Sequence, residues 1–237
     1  MQHILSLVRR CVEDYHMIDR GDTIAVGVSG GKDSVLTLCA LARLREFYPQ
    51  PFDVVAITID SGTPGMDFTP IADLCRELNV PYYREEVPIY EIVFEHRKEK
   101  NPCSLCAKFR RGALSTTMNR LGLNKIALGH HQDDAVETMV MSLFLEGRVS
   151  CFQPVTYLDR TQVTQIRPML YVQEREVRGA VRRLNLPVGE NPCPANGSTK
   201  RQEIKELIYE LQGRYPGLKS RVFGSMQRLP LPEWGPV

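Results

Sequence analysis

From Thr23 to Val28 the chain runs Thr-Ile-Ala-Val-Gly-Val, a short branched apolar stretch, and from Asp33 onward its apolar positions fall at Val35, Leu36, Leu38 and Leu41. The first pattern suits a buried strand and the second a core-facing helix. The same alternation recurs along the sequence. It predicts strands over Thr23–Val28, Val54–Asp60, Tyr83–Val87, Lys125–Gly129 and Gln165–Leu170. Helices are predicted over Leu5–Met17, Asp33–Phe47, Phe68–Asn79, Ser104–Leu121, Asp133–Leu145, Glu174–Leu184 and Lys200–Leu211. Strands alternating with helices imply an α/β fold, doubly wound and Rossmann-like, with a mostly parallel sheet and helices on both faces. The expected organisation is an N-terminal helix (1–20), a main domain (21–190), a loop and C-terminal helices (191–228) and a loose Pro-rich tail (229–237).

Composition narrows the class. With 237 residues, 43% hydrophobic and 24% charged, the chain can bury a sizeable core. Thirty basic against 28 acidic residues leave a net charge of +2, so any nucleic-acid surface must be a local one. Local basic groups at Arg97-Lys98-Lys100, Arg175-Arg178-Arg182-Arg183 and Lys200-Arg201 read as solvated helix faces. No apolar run approaches the roughly 20 residues of a membrane span, and the N-terminus resembles no secretion signal, so a cytoplasmic protein without membrane attachment is expected. Seven unevenly spread cysteines do not make a disulfide scaffold, which turns attention to metal binding or reactive thiols. Cys11, Cys39 and Cys75 fall in apolar helical patterns and read as small buried hydrophobes, while Cys151 falls in a loop where a persulfide role is conceivable.

Chemistry concentrates in three places. Between the first strand and its helix stands Ser29-Gly30-Gly31-Lys32-Asp33-Ser34. In a parallel sheet this turn lies at the carboxyl edge, where a helix N-terminus offers unpaired N–H groups to an anion. Gly30 and Gly31 allow close backbone approach, Lys32 adds a full charge, and Ser29 and Ser34 add hydroxyls, a composition suited to pyrophosphate. The spacing is neither that of a Walker A loop nor G-x-G-x-x-G. The string resembles instead the PP-loop (N-type) ATP pyrophosphatase superfamily, which implies a PP-loop ATPase/HUP-type sheet and adenylation of a substrate oxygen with release of pyrophosphate.

The second place is Cys103-x-x-Cys106 at a helix start, with Cys193 far downstream in Asn-Pro-Cys-Pro. Three thiolates fit an iron-sulfur cluster with one iron not ligated by cysteine; a structural zinc site and a redox-active pair share the same spacing. Arg110 and Arg111 follow on the same helix and suit a phosphate or an anionic cluster. The third place is Leu128-Gly129-His130-His131-Gln132-Asp133-Asp134, which brings imidazoles and carboxylates to the sheet edge that carries the first turn. Asp133 and Asp134 could hold Mg²⁺, or Asp133 could move a proton, and either could simply cap the following helix. Asp60, ending the second strand, reaches the same edge and could face a nucleotide or form a turn.

Taken in order and approximate spacing, MIDRGDTIAVGVSGGKDSV, CSLCAKFRRGAL, LGHHQDDAVETMVMSLF and PCPANGS resemble the tRNA 2-thiocytidine synthetase (TtcA-type) family over roughly Met17 to Leu211. The resemblance implies a [4Fe-4S] cluster on Cys103, Cys106 and Cys193, with ATP activating an anticodon-loop cytidine (position 32) whose C2 oxygen is replaced by sulfur. Under that resemblance ATP and Mg²⁺ would sit on Ser29–Ser34 beside Asp60, Gly129 and His130. Lys32, Asp133 and Arg110 would serve the chemistry. The implied partners are tRNA, sulfide or a sulfur donor such as a cysteine desulfurase, and a second copy of the chain. Many relatives carry a second cysteine just after the third ligand, whereas here Cys193 is followed by Pro-Ala-Asn-Gly, leaving three candidates. Other readings are thiolation or desulfuration of another tRNA base or small nucleobase, a cluster-free ligase similar to tRNA lysidine synthetase, and a non-catalytic nucleotide sensor with structural zinc.

Overall fold

The computed structural model describes residues 1–96, 102–189, 192–193 and 200–228. The expected tail 229–237, the group Arg97-Lys98-Lys100 and most of the segment around Cys193 lie outside these residues. Along the chain come α1 (Gln2–Asp14), β1 (Thr23–Gly27), α2 (Lys32–Leu44), β2 (Asp53–Asp60), α3 (Thr69–Glu77) and β3 (Tyr82–Glu86). A π-helical turn (Glu91–His96) precedes α4 (Pro102–Arg120), β4 (Lys125–Ala127), α5 (Gln132–Leu145), β5 (Val155–Leu158), β6 (Val163–Ile166), α6 (Glu174–Arg183), α7 (Lys200–Arg214) and α8 (Leu218–Arg228).

The six strands lie in the order β3-β2-β1-β4-β6-β5. All neighbouring pairs are parallel except β5 with β6, which form an antiparallel edge. The pairing confirms the doubly wound, mostly parallel sheet. β1 pairs with β2 on one side and β4 on the other, so the chain changes direction between β1 and β4 and opens a crevice at their carboxyl ends. Two differences from the sequence reading concern the far edge. The final expected strand is shifted to Val163–Ile166, and β5 was not anticipated. Its residues are half-exposed or exposed, so the buried apolar run that marks a central strand is missing from its sequence.

The pleat sends alternate residues into two cores. Ile24 and Val26 of β1 with Val54 and Ala56 of β2 face α1, α2 and the C-terminal helices, which all join one cluster. Ala25, Val55, Ile57, Ile126 and Val163 face the other way, against Met118 and Leu114 of α4. Helix α2 is central: Ser34 through Ala42 and Leu44 are all buried, the pattern of a helix enclosed on every side. By contrast, α4 buries only Thr117 and Met118 near its C-terminal end, and its N-terminal half, with Cys103, stands away from the sheet. Among the described residues no helix is long and apolar enough to cross a membrane.

Candidate active site

The turn after β1 is built to leave a helix N-terminus open. Gly30 has φ of +82°, a left-handed conformation suited to glycine, and Gly31 starts α2 with no side chain capping it. The two serines brace the turn from within. Ser29 N–H donates to Ser34 Oγ at 3.1 Å, and Ser34 Oγ donates to Gly31 O at 2.9 Å. The first N–H groups of α2 therefore keep their capacity for an anion.

Gly129 presses this turn from the other side of the crevice. A Cβ at Gly129 would lie 2.9 Å from the carbonyl carbon of Asp33 and 3.0 Å from Ser34 N, so only glycine lets β4's loop close on α2. Lys32 extends from the same turn and pairs with Asp33 Oδ2 at 2.8 Å and Glu174 Oε1 at 3.3 Å. Burial lowers its pKa, but Asp33 and Glu174 outweigh that and hold it above the usual lysine value. Asp33 Oδ1 is buried without a hydrogen bond but faces His131 Nε2 at 3.5 Å, the carboxylate oxygen of the turn with room for a cation.

The strand following Lys125 delivers two different histidines. His131 is 3% exposed and forms a capping box with Asp134, accepting from Asp134 N–H on Nδ1 at 3.3 Å while its own N–H donates to Asp134 Oδ2 at 2.9 Å. His130 packs on Phe152 with ring centroids 4.8 Å apart, and its Nδ1 is buried without a partner. Burial, then the nearby Arg167 charge, pulls the His130 pKa down to about 4, which keeps the imidazole neutral at ordinary pH.

The carboxylates take up the capping and turn-forming alternatives open to them. Asp133 is 4% exposed, and both oxygens are engaged: Oδ2 accepts Glu174 N–H at 2.7 Å and Oδ1 accepts Lys219 Nζ at 2.7 Å. It caps α6 and ties down α8, a structural role for both of its oxygens. Asp134 itself serves the capping box and meets Arg201 at 3.5 Å. Asp60 is likewise occupied, by Arg84 at 2.5 and 3.0 Å and by Gly62 N–H at 3.0 Å. It shapes the end of β2.

Sequence reasoning overlooked Glu174, which heads α6 and draws together Lys32, Arg178 at 2.8 Å and Lys205 at 2.9 Å. Burial opposes its ionisation, but Lys205 and Arg178 hold its carboxyl far below the usual glutamate range. The capping box of Gln173 and Glu176 marks the start of α6 in the sequence, but nothing local announces cations arriving from distant helices.

The cysteines divide as expected. Cys11, Cys39 and Cys75 are buried. Cys151 donates to Ala135 O at 3.5 Å, and burial pushes its thiol up to about 12, which disfavours the thiolate. Cys103 is exposed, Cys106 and Cys193 half-buried, and none of the three is in a disulfide. Cys106 is pushed up by burial and pulled down by Arg110, and Cys193 and Cys103 both lie close enough to add to the upward push.

Two contacts attach this thiol group to the crevice. Arg110 Nη2 donates to Ser61 Oγ at 3.0 Å at the end of β2, and Gly189 N–H, shortly before Cys193, donates to Gly30 O at 3.0 Å. Arg111 turns back to its own helix, its Nε donating to Ala107 O. Among the described residues no three His, Cys, Asp or Glu side chains converge on a single ion.

Comparison with known proteins agrees with this architecture. Residues 3–211 match the PP-loop domain family. The tRNA-cytidine(32) 2-sulfurtransferase of Pelobacter propionicus is 39% identical over 225 residues, covering 94% of this chain and 84% of that one. Its Geobacter sulfurreducens counterpart is 40% identical, covering 94% of this chain and 90% of that one. Among solved structures, the U34-tRNA thiolase NcsA from Methanococcus maripaludis, determined with its [4Fe-4S] cluster, superposes with a TM-score of 0.76 at 23% identity, over 96% of this chain and 78% of that one. The fold is therefore shared with that thiolase, and the chain belongs to the tRNA-cytidine(32) 2-sulfurtransferase family of PP-loop proteins.

Proposed function

We propose that this protein is an ATP-dependent tRNA thiolase that converts an anticodon-loop cytidine, position 32 in its relatives, to 2-thiocytidine. The observation that carries the reading is the attachment of the three-thiol group to the crevice, through Arg110 to Ser61 at the end of β2 and Gly189 to Gly30 in the phosphate turn. Activation and sulfur delivery can then act on one base in one crevice.

In this reading ATP lays its phosphates over Gly30, Gly31 and the open end of α2, and Lys32 exchanges its carboxylate partners for phosphate oxygens. Mg²⁺ bound to the phosphates would be held by the Asp33 carboxylate, which would share its Oδ1 with His131. The cytidine C2 oxygen attacks the α-phosphorus, the bond to the β-phosphate oxygen breaks, and pyrophosphate leaves. Lys32 and the helix N-terminus stabilise the charge that builds on the departing group. A sulfur nucleophile then attacks C2, the C2–oxygen bond breaks, and AMP departs with the former base oxygen. The sulfur comes as sulfide or from a donor protein such as a cysteine desulfurase. Held by Cys103, Cys106 and Cys193, a [4Fe-4S] cluster would supply an iron free of cysteine at which sulfur can be presented. Arg110 offsets the negative charge of the thiolates, and neutral His130 packs at the crevice without adding charge. Asp133 holds α6 and α8 in place.

The test is iron and acid-labile sulfide content of anaerobically prepared protein, with tRNA-dependent formation of AMP and 2-thiocytidine. Full iron loading in the wild type, lost in Cys103→Ala, Cys106→Ala and Cys193→Ala, is the expected result. Thiolation that survives Cys193→Ala overturns the cluster assignment, and AMP formation without any thiolated base overturns the reaction.

A further inference from the structure

A cavity of about 330 Å³ opens beside the phosphate turn, lined by Gly30, Met66, Asp67, Ile71, Val188 and Pro192 among others. One wall is the turn itself. Another is the segment leading into Cys193, held to that turn by the Gly189–Gly30 hydrogen bond. A base that must first meet the α-phosphorus and then a sulfur atom has to sit between these two walls. The lining is largely apolar, as a flat heteroaromatic ring requires, and the volume accommodates a pyrimidine with its ribose edge.

Among the described residues Asp67 is the only charged side chain lining the cavity. Its Oδ1 accepts Thr69 N–H at 2.9 Å, which fixes the carboxylate at the lip and leaves acceptor capacity on its outer side. The bonds from Thr69 hold its pKa below the usual aspartate value, so it is an acceptor and not a donor at neutral pH.

We infer that this cavity receives the target base and that Asp67 selects cytosine by accepting a hydrogen bond from its 4-amino group. Uracil presents a carbonyl oxygen at that position, and a carboxylate facing it is repelled. The 4-amino group and the C2 oxygen lie on opposite sides of N3, so anchoring the first at the lip leaves the second free for the phosphate turn. Asp67 would thus determine which pyrimidine is thiolated, within the same site and resting on the thiolase reading above.

The experiment uses the iron-loaded full chain, ATP and two anticodon stem-loop RNAs that differ only in carrying cytidine or uridine at the target position. The readout is kcat/KM for AMP formation on each. Asp67→Asn, which keeps an acceptor for Thr69 but can donate to a carbonyl, is expected to lower the cytidine-over-uridine preference about 10- to 100-fold. Asp67→Glu is expected to restore part of it. Val188→Trp, which fills the cavity, is expected to raise KM for the cytidine RNA. A preference unchanged in Asp67→Asn, or a KM unmoved by Val188→Trp, overturns the assignment while leaving the thiolase reading intact. Absence of AMP formation by the wild type on either RNA overturns both.

Discussion

A single methyl group on Gly129 would meet the backbone of Asp33 and Ser34, neither of which can rotate away. Gly129→Ala is therefore expected to displace the first turn of α2. The cost should be about 1–3 kcal/mol of stability, read by urea unfolding, with weaker ATP binding read by calorimetry. Lys32→Ala tests the turn's charge: pyrophosphate release is expected to fall about 100-fold or more while circular dichroism is unchanged. His130 makes a pH prediction. The folded chain keeps it neutral down to about pH 4, whereas the unfolded chain binds the proton near the ordinary imidazole value of 6.5. Between these values the unfolded state holds more protons, so its contribution to stability is lost as pH falls from 6.5 towards 4. Its imidazole resonances should stay those of the neutral ring through this window, and titration near 6.5 in the folded protein would contradict the burial argument. At this scale the sequence was informative where function is contiguous. SGGKDS and the C-x-x-C pair could be read directly, but Glu174 meeting Lys32 and Asp133 meeting Lys219 join residues far apart, and no periodicity encodes such pairs.

Secondary-structure elements were legible in proportion to their burial. The enclosed helix α2 and strands β1 and β2 carry long apolar signals, whereas β5 and the π-helical turn at Glu91–His96 are only partly covered and leave almost none. The sequence around Asp133 invited a catalytic reading because a carboxylate at a strand end is common to active sites and to helix caps alike. In the fold the carboxylate fastens α5 to the starts of α6 and α8. Asp133→Asn and Lys219→Met are each expected to cost about 1–3 kcal/mol, and the double variant no more than the larger single loss. If instead Asp133→Asn abolished AMP formation with stability unchanged, the carboxylate would have to act on substrate.

For the molecule as a whole, two cores on opposite sides of one sheet carry unequal loads. One joins α1, α2 and the C-terminal helices, and the other rests largely on the last turns of α4. The overall architecture was readable because alternating strands and helices admit few topologies, but the extent to which α4 leans out of the body was not. A helix anchored at one end by Thr117 and Met118 divides into a firm half and a loose half. Its N-terminal turns can detach in a small cooperative opening that breaks the Arg110–Ser61 hydrogen bond but leaves the sheet paired. Amide hydrogen exchange should show this as rapid exchange from Cys103 to Arg111, with protection rising from Leu114 onward. The thiols could then be loaded, or stripped by a chelator, at a free-energy cost far below that of global unfolding, so that a metal-free chain remains a folded nucleotide-binding protein ready to be matured again.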